Sequence, residues 1–267
     1  SSTKEATRKF ADYPTRFMEL RQPKTDYILV PRHTSENRRY IPFGFMSKDV
    51  ICGDANNMIP DATLYHFGIL TSNVHMAMKY NMKAIGTHPH EWFMFHGAEF
   101  GYKRANYLAL ENWVNVYDGD LGIALSDTYT TDVFLKNFSR KHAKLFDGVR
   151  HDSGDPYKFV NKVINRYKEL GIDPTTKTII FSNALDFDLY GDIAAYCSGR
   201  IRCAAGIGTN LTNDCGFKPS NIVMKLSKCR MNSNQPWYNC IKLSDDEGKH
   251  MGSDKEVEIC KYECNIN

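Results

Sequence analysis

With 267 residues, 42% of them hydrophobic and 24% charged, the chain is long enough for one sizeable core, or one core with a small appendage. A net charge of +3 is too mild for a nucleic-acid-binding stripe and suits an enzyme that handles anions. No run approaches the ~20 apolar residues of a membrane span, residues 1–9 lack an apolar signal core, and eight cysteines without a CxxC pair read as reduced thiols of a cytoplasmic protein.

In chain order, residues 1–75 form a loop-rich segment punctuated by Pro14, Pro23, Pro31, Pro42 and Pro60, with short apolar runs such as Tyr27 to Val30. Residues 76–267 read as a second, larger domain. From about residue 84 a short apolar run repeatedly ends in a small polar cluster: KAIGTHPHE, LGIALSDTYT, FDGVRHDSGD, KTIIFSNALD and RCAAGIGTNLTND. Such runs, alternating with helical stretches, predict an α/β fold with a parallel sheet. The spacing predicts helices over 104–116, over 131–146 from a Thr-Asp cap, over 156–170 behind Asp155 and an N1 proline, and over 186–196. NIVMKLS at 221–227 reads as one more strand. Residues 228–267 read as a surface segment with a short strand at 240–243.

In parallel βα folds, chemistry gathers at the carboxyl ends of strands. Thr87, His90, Asp127, Arg150, Asp152, Ser182, Asn183, Gly208 and Thr209 all fall at such ends. In GTHPHEWF, a histidine beside Glu91 can act as nucleophile or proton carrier, or can simply pack at the core edge on Trp92. Zinc on His88, His90 and His96 is a further option. In SDTYTTD, Asp127 can hold substrate or a metal-bridged phosphate, whereas Thr131 and Asp132 suit a helix cap. In RHDSGDP, Arg150 offers a planar fork for a carboxylate or phosphate beside Asp152, and Asp155 suits a cap. The loops FSNALD and GIGTN are small and amide-rich, fit for cradling a phosphate.

The strings TSNVHMAMKYN, GTHPHEWF, ENWVNVYDGDLGIALSDTYTTDVFL, GVRHDSGDP, KTIIFSNALD, GIGTNLTND, IVMKLSKCR and KLSDDEGKHMG closely resemble the nicotinate phosphoribosyltransferases over residues 71–264. The resemblance implies the irregular α/β barrel of the type II phosphoribosyltransferases, incomplete in this chain. It implies a reaction of nicotinate with phosphoribosyl pyrophosphate to give nicotinate mononucleotide and pyrophosphate in NAD salvage, coupled to ATP hydrolysis, with magnesium, in a homodimer. It marks His90 as a catalytic phosphohistidine and places Asp152 with Arg150 at the nicotinate and ribose region. The Asp127 and Asp152 carboxylates are catalytic candidates on physical grounds, since the reacting sugar carbon becomes positively charged as pyrophosphate leaves. Thr87, Arg150, Ser153 and Gly154 would bind substrate, and Ser182, Asn183, Gly206, Gly208 and Thr209 the 5′-phosphate. The family's GTxAHEW motif carries a hydrophobic residue and Ala where His88 and Pro89 stand here. Its N-terminal DxYK-type segment and GTRRR strand have no counterpart.

Residues 10–77 instead resemble the specificity region of DNA methyltransferases fused to restriction functions, through TDYILVPRHTSENRRYIPFGFM and IPDATLYHFGILTSNVHMA. The chain then joins segments of two origins. Two other readings follow: a DNA-binding specificity fragment, which the mild charge argues against, or a catalytically inactive barrel fragment.

Overall fold

A computed structural model describes residues 86–206 and 223–266, position 78, and the backbone of five short strands before residue 86. These strands are β1 (Tyr27–Pro31), β2 (Ile41–Phe43), β3 (Ala62–Phe67), β4 (Leu70–Thr71) and β5 (Lys83–Ala84). They form a three-stranded sheet in the order β1-β3-β2 and a separate β4-β5 pair. The remaining strands are β6 (Ile123–Leu125), β7 (Gly148–His151), β8 (Thr178–Phe181), β9 (Arg202–Ala205), β10 (Lys228–Cys229) and β11 (Tyr238–Asn239).

β6 to β9 build a four-stranded sheet in the order β6-β7-β8-β9. β6 and β7 run parallel, with Ile123 opposite Gly148 and Leu125 opposite Arg150. This is the α/β architecture that the alternating runs predict. The connecting helices are α1 (His90–Phe100), α2 (Tyr102–Tyr117), α3 (Thr131–Asn137), α4 (Arg140–Leu145), α5 (Pro156–Glu169), α6 (Phe187–Cys197) and α7 (Asp254–Cys264).

The chain divides into two compact units. One comprises residues 1–86, 181–198 and 203–221, and its longest described element is α6. Asp186 caps α6 by accepting the Leu189 amide, 2.8 Å away. Tyr190 and Ile193 form the buried face of that helix, and the Tyr190 hydroxyl donates to the Cys203 sulfur at 3.7 Å.

The other unit comprises residues 87–180, 199–202 and 222–267. Its core is aromatic: Phe93, Tyr129, Phe134, Phe138, Phe146 and Tyr167 are all fully or almost fully buried. Helix α5 has the expected frame. Asp155 accepts the Lys158 amide at 2.8 Å, Pro156 occupies the first turn, and Gly171 stops the helix with φ +67°. The predicted 131–146 helix is two helices instead. Phe138 turns extended, and the Ser139 hydroxyl then caps α4 by accepting the His142 amide at 3.2 Å. Thr130, one residue before the expected cap, accepts the Val133 amide at the start of α3.

Further features of this unit depart from the sequence reading. Helix α1 was not expected, because HEWFMFHGAEF is apolar on several sides and carries no clean 3.6-residue stripe. Residues 223–227 form no strand, and residues 221–222 lie outside the described part. The strand expected at 240–243 reduces to one bridge, Lys242 to Met251. The C-terminal stretch is also less superficial than its composition suggests. Helix α7 buries Val257, Cys260 and Cys264, and contacts α2.

Candidate active site

Four stretches of the second unit build the site: the loop into α1, the turn after β6, the end of β7, and residues 243–246. Pro89, at φ −79° and ψ 154°, ends the extended loop, so His90 becomes the first residue of α1. Its ring nitrogens are held from two sides. Nδ1 lies 3.0 Å from Thr128 Oγ1, and Nε2 lies 2.9 Å from Asp152 Oδ2. An ionised carboxylate only accepts, so Nε2 carries the proton towards Asp152, and in the neutral ring Nδ1 accepts from Thr128.

Asp152 divides its oxygens. Oδ2 faces His90, and Oδ1 accepts from Arg150 Nη2 at 2.6 Å. Arg150 Nη1 donates to Thr87 Oγ1 at 2.9 Å. The Arg150 and Asp152 side chains keep 21% and 17% of their surface, whereas His90 and Asp127 keep 5% and 1%. The half-buried pair keeps more surface than His90 and Asp127, and so stands where a ligand can meet it. Asp127 Oδ2 accepts from Ser153 Oγ at 2.6 Å and from Ser244 Oγ at 3.4 Å. Its Oδ1 is buried without a hydrogen-bond partner and lies 3.8 Å from His90 Nε2. A buried carboxylate oxygen with no donor is costly unless a cation or ligand completes it.

His90, Asp127 and Asp152 bring one ligand atom each within 4.8 Å of one another. Magnesium prefers oxygen donors and keeps much of its water. The two carboxylates, one with an orphaned oxygen, fit that preference and would be the residues to hold it.

His88 explains the departure from the GTxAHEW pattern. Its ring is fully buried, packs on Phe93, Trp113 and Phe146, and neither nitrogen has a hydrogen-bond partner. Burial, then the Arg150 cation, lower its pKa to about 3. It therefore stays neutral and fills the place of a hydrophobic residue. The zinc option fails here, because His96 binds the Trp92 carbonyl through Nδ1 and the Asn112 amide through Nε2.

A pH prediction follows from this burial. Unfolded His88 takes up a proton below its ordinary value of about 6.5, and the folded ring refuses it. Between pH 6.5 and about 3 the unfolded state thus binds more protons, and stability falls by up to ~1.4 kcal/mol per pH unit as pH decreases. His96, His142 and His151, also lowered by burial, act with the same sign. His88→Leu should flatten the decline by about one proton's share, as read from urea midpoints at several pH values. A slope equal to that of the parent chain would refute the assignment.

The structure distributes the other expected site residues unevenly. Ser153 and Gly154 join the cluster through Asp127 and through the Asp246 carboxylate, which accepts the Gly154 amide at 3.0 Å. Ser182 and Asn183 follow β8 in the first unit, before Ala184 at φ 49°. The Gly206 amide donates to the Phe181 carbonyl at 2.7 Å and is thereby occupied. Gly208 and Thr209 lie outside the described residues. Thr128 and the segment 243–246 were not assigned roles from sequence. The KLSDDEGKHMG string, one of those that resemble the family, was the available signal for the latter.

Residues 61–263 match the family model described as the nicotinate phosphoribosyltransferase (NAPRTase) family. The chain belongs to the nicotinate phosphoribosyltransferase family. A nicotinate phosphoribosyltransferase of Desulforapulum autotrophicum is 50% identical over 225 residues, covering 84% of this chain and 58% of its own length. One from Chromohalobacter salexigens is 55% identical over 204 residues, covering 75% of this chain and 52% of its own. The crystal structure of the Porphyromonas gingivalis nicotinate phosphoribosyltransferase superposes with a TM-score of 0.74 at 47% identity, covering 85% of this chain and 60% of that one. The chain thus spans about half the length of the curated relatives it matches. Residues 1–86 match a different model, the MmeI target recognition domain, which agrees with two joined origins. Among the described residues no helix is long and apolar enough to cross a membrane.

A cleft of about 550 Å³ also borders these loops. Its lining includes Ser153, Gly154, Asp245, Lys136, Lys158 and Lys162, but not His90, Arg150 or Asp152. It lies beside the clustered groups and does not contain them.

Proposed function

We propose that the chain carries the catalytic residues of nicotinate phosphoribosyl transfer: nicotinate displaces pyrophosphate from phosphoribosyl pyrophosphate and forms nicotinate mononucleotide. The observation that carries this reading is the network in which Asp152 joins His90 to Arg150 while Asp127 closes on the same ring. Arg150 would hold the nicotinate carboxylate and turn the ring nitrogen towards the sugar. As pyrophosphate leaves, the sugar carbon becomes oxocarbenium-like, and the Asp127 and Asp152 carboxylates stabilise that positive charge. Magnesium, when bound, neutralises the negative charge of the departing pyrophosphate.

His90 would accept the ATP γ-phosphoryl group, with ADP as the leaving group, and later lose it to water as inorganic phosphate; Thr128 and Asp152 orient the ring. Ser182, Asn183, Gly206, Gly208 and Thr209 would receive the 5′-phosphate. ATP coupling, magnesium, a homodimer and a cytoplasmic setting belong to this proposal and rest on family membership. The assignment of residues 1–75 as a segment outside the catalytic domain belongs to it too, and rests on the separate match of residues 1–86 to the MmeI target recognition domain.

The test is an assay with nicotinate, phosphoribosyl pyrophosphate, ATP and magnesium that reads nicotinate mononucleotide. Product at a rate that depends on all four supports the reading. No product, together with a salt-dependent duplex-DNA shift, would move the function to the N-terminal segment.

A further inference from the structure

Residues 243–246 reach the site from far along the chain, and several of their polar groups meet the site loops. The Leu243 amide donates to the Thr128 carbonyl at 2.7 Å. The Asp245 amide donates to Ser153 Oγ at 2.9 Å, and that hydroxyl donates in turn to Asp127. The Asp245 carboxylate accepts both the amide and the hydroxyl of Thr131, at 2.8 and 2.5 Å. Asp246 accepts the Gly154 amide at 3.0 Å and pairs with Lys249 at 2.5 Å.

Two backbone features accompany these contacts. Ser244, not a glycine, is buried at φ +74°, a conformation that persists only where surrounding contacts over-determine it. Gly154 adopts φ +78°, and a Cβ there would come within 3.2 Å of Asp245 Cβ, so the segment sits tightly against this turn. Asp245 is exposed as a residue, yet desolvation of its carboxylate raises its pKa, and the two Thr131 donors oppose that shift by favouring the ionised form.

We propose that Asp245 and Asp246 are positioning residues: they tie the Asp127–Thr131 and Asp152–Gly154 loops to one segment and so fix where Asp127 and Asp152 stand about His90. The catalytic consequence rests on the proposed phosphoribosyl transfer, whereas the tie itself does not. Neither residue touches substrate in this scheme. Misplacing catalytic groups by an ångström costs up to about 100-fold in rate, so that is the scale of loss available.

The experiment compares Asp245→Ala, Asp246→Ala, Asp245→Asn and Asp246→Asn with the parent chain. Asparagine keeps an acceptor oxygen, and alanine does not. Steady-state kinetics are read beside hydrogen exchange at the Thr131 and Gly154 amides and beside thermal unfolding. The alanine variants should lose about 10- to 100-fold in kcat, with far smaller changes in KM. Exchange should accelerate at Thr131 in Asp245→Ala and at Gly154 in Asp246→Ala. The asparagine variants should recover most of both. Alanine variants with parental kcat would overturn the proposal, as would losses that merely follow the unfolded fraction without asparagine rescue. If the parent chain forms no product, the catalytic reading falls by itself. Exchange then decides the tie: unchanged protection at both amides overturns it, and the residue-specific acceleration supports it.

Discussion

His90→Ala is expected to lower nicotinate mononucleotide formation at least about 100-fold, the lower end of what a positioned acid–base or nucleophilic side chain contributes. The loss is chemical in origin. The imidazole touches Thr128 and Asp152 and stands 3.8 Å from Asp127, so alanine removes the one group on which the three side chains converge. Asp152 retains Arg150 after the substitution, so the fold should lose only about 1–3 kcal/mol from the disturbed hydrogen bonds. Two measurements separate these effects: turnover with ATP, and transfer of an acid-labile, base-stable label from γ-labelled ATP to the protein. The parent chain should take up the label, and the alanine variant should not. Undiminished ATP-coupled turnover in the variant would remove His90 from the mechanism.

Gly148→Ala should give the largest stability loss for a single added methyl group, about 3 kcal/mol or more. Gly148 opens β7, and a Cβ there would lie 1.8 Å from the Thr178 carbonyl oxygen and 2.7 Å from its carbon. Both atoms belong to the backbone of β8, so no side-chain rotation relieves the clash. The strand has to move, and Arg150 and Asp152 move with it. For a unit of this size the loss corresponds to a melting temperature lower by roughly 6–12 °C. Gly86→Ala provides the control, since no atom of the described residues lies within 4 Å of the added carbon. It should change stability by less than about 0.5 kcal/mol. Equal melting temperatures for the parent and Gly148→Ala would show that β7 and β8 are not packed as described.

Local signals account for much of what was legible in the sequence. Asp155, Pro156 and Gly171 frame α5 because a cap, a fixed φ and a left-handed stop each act within a few residues. Arg150 and Asp152 stood out because three charged groups within six residues of a strand end are an expensive arrangement without a ligand. Helix α1 was hidden because its neighbours bury most of its surface and leave no polar face to set a period. Helix α7 was hidden because its buried side consists largely of two cysteines in a lysine- and glutamate-rich stretch.

By itself the sequence determined the α/β class, the placement of Asp127 and Asp152 just after β6 and β7, and the family to which the chain belongs, since each is written in short-range order or in shared strings. The tertiary structure decided that His88 is a neutral packing residue, that Thr128 orients His90, and that Asp245 and Asp246 hold the loops around Asp127. Those partners stand 38, 114 and 92 residues from the groups they serve. A hydrogen bond over such a separation leaves no periodicity, cap or turn signature in the chain. It exists only once β6, β7 and the 243–246 segment have come together.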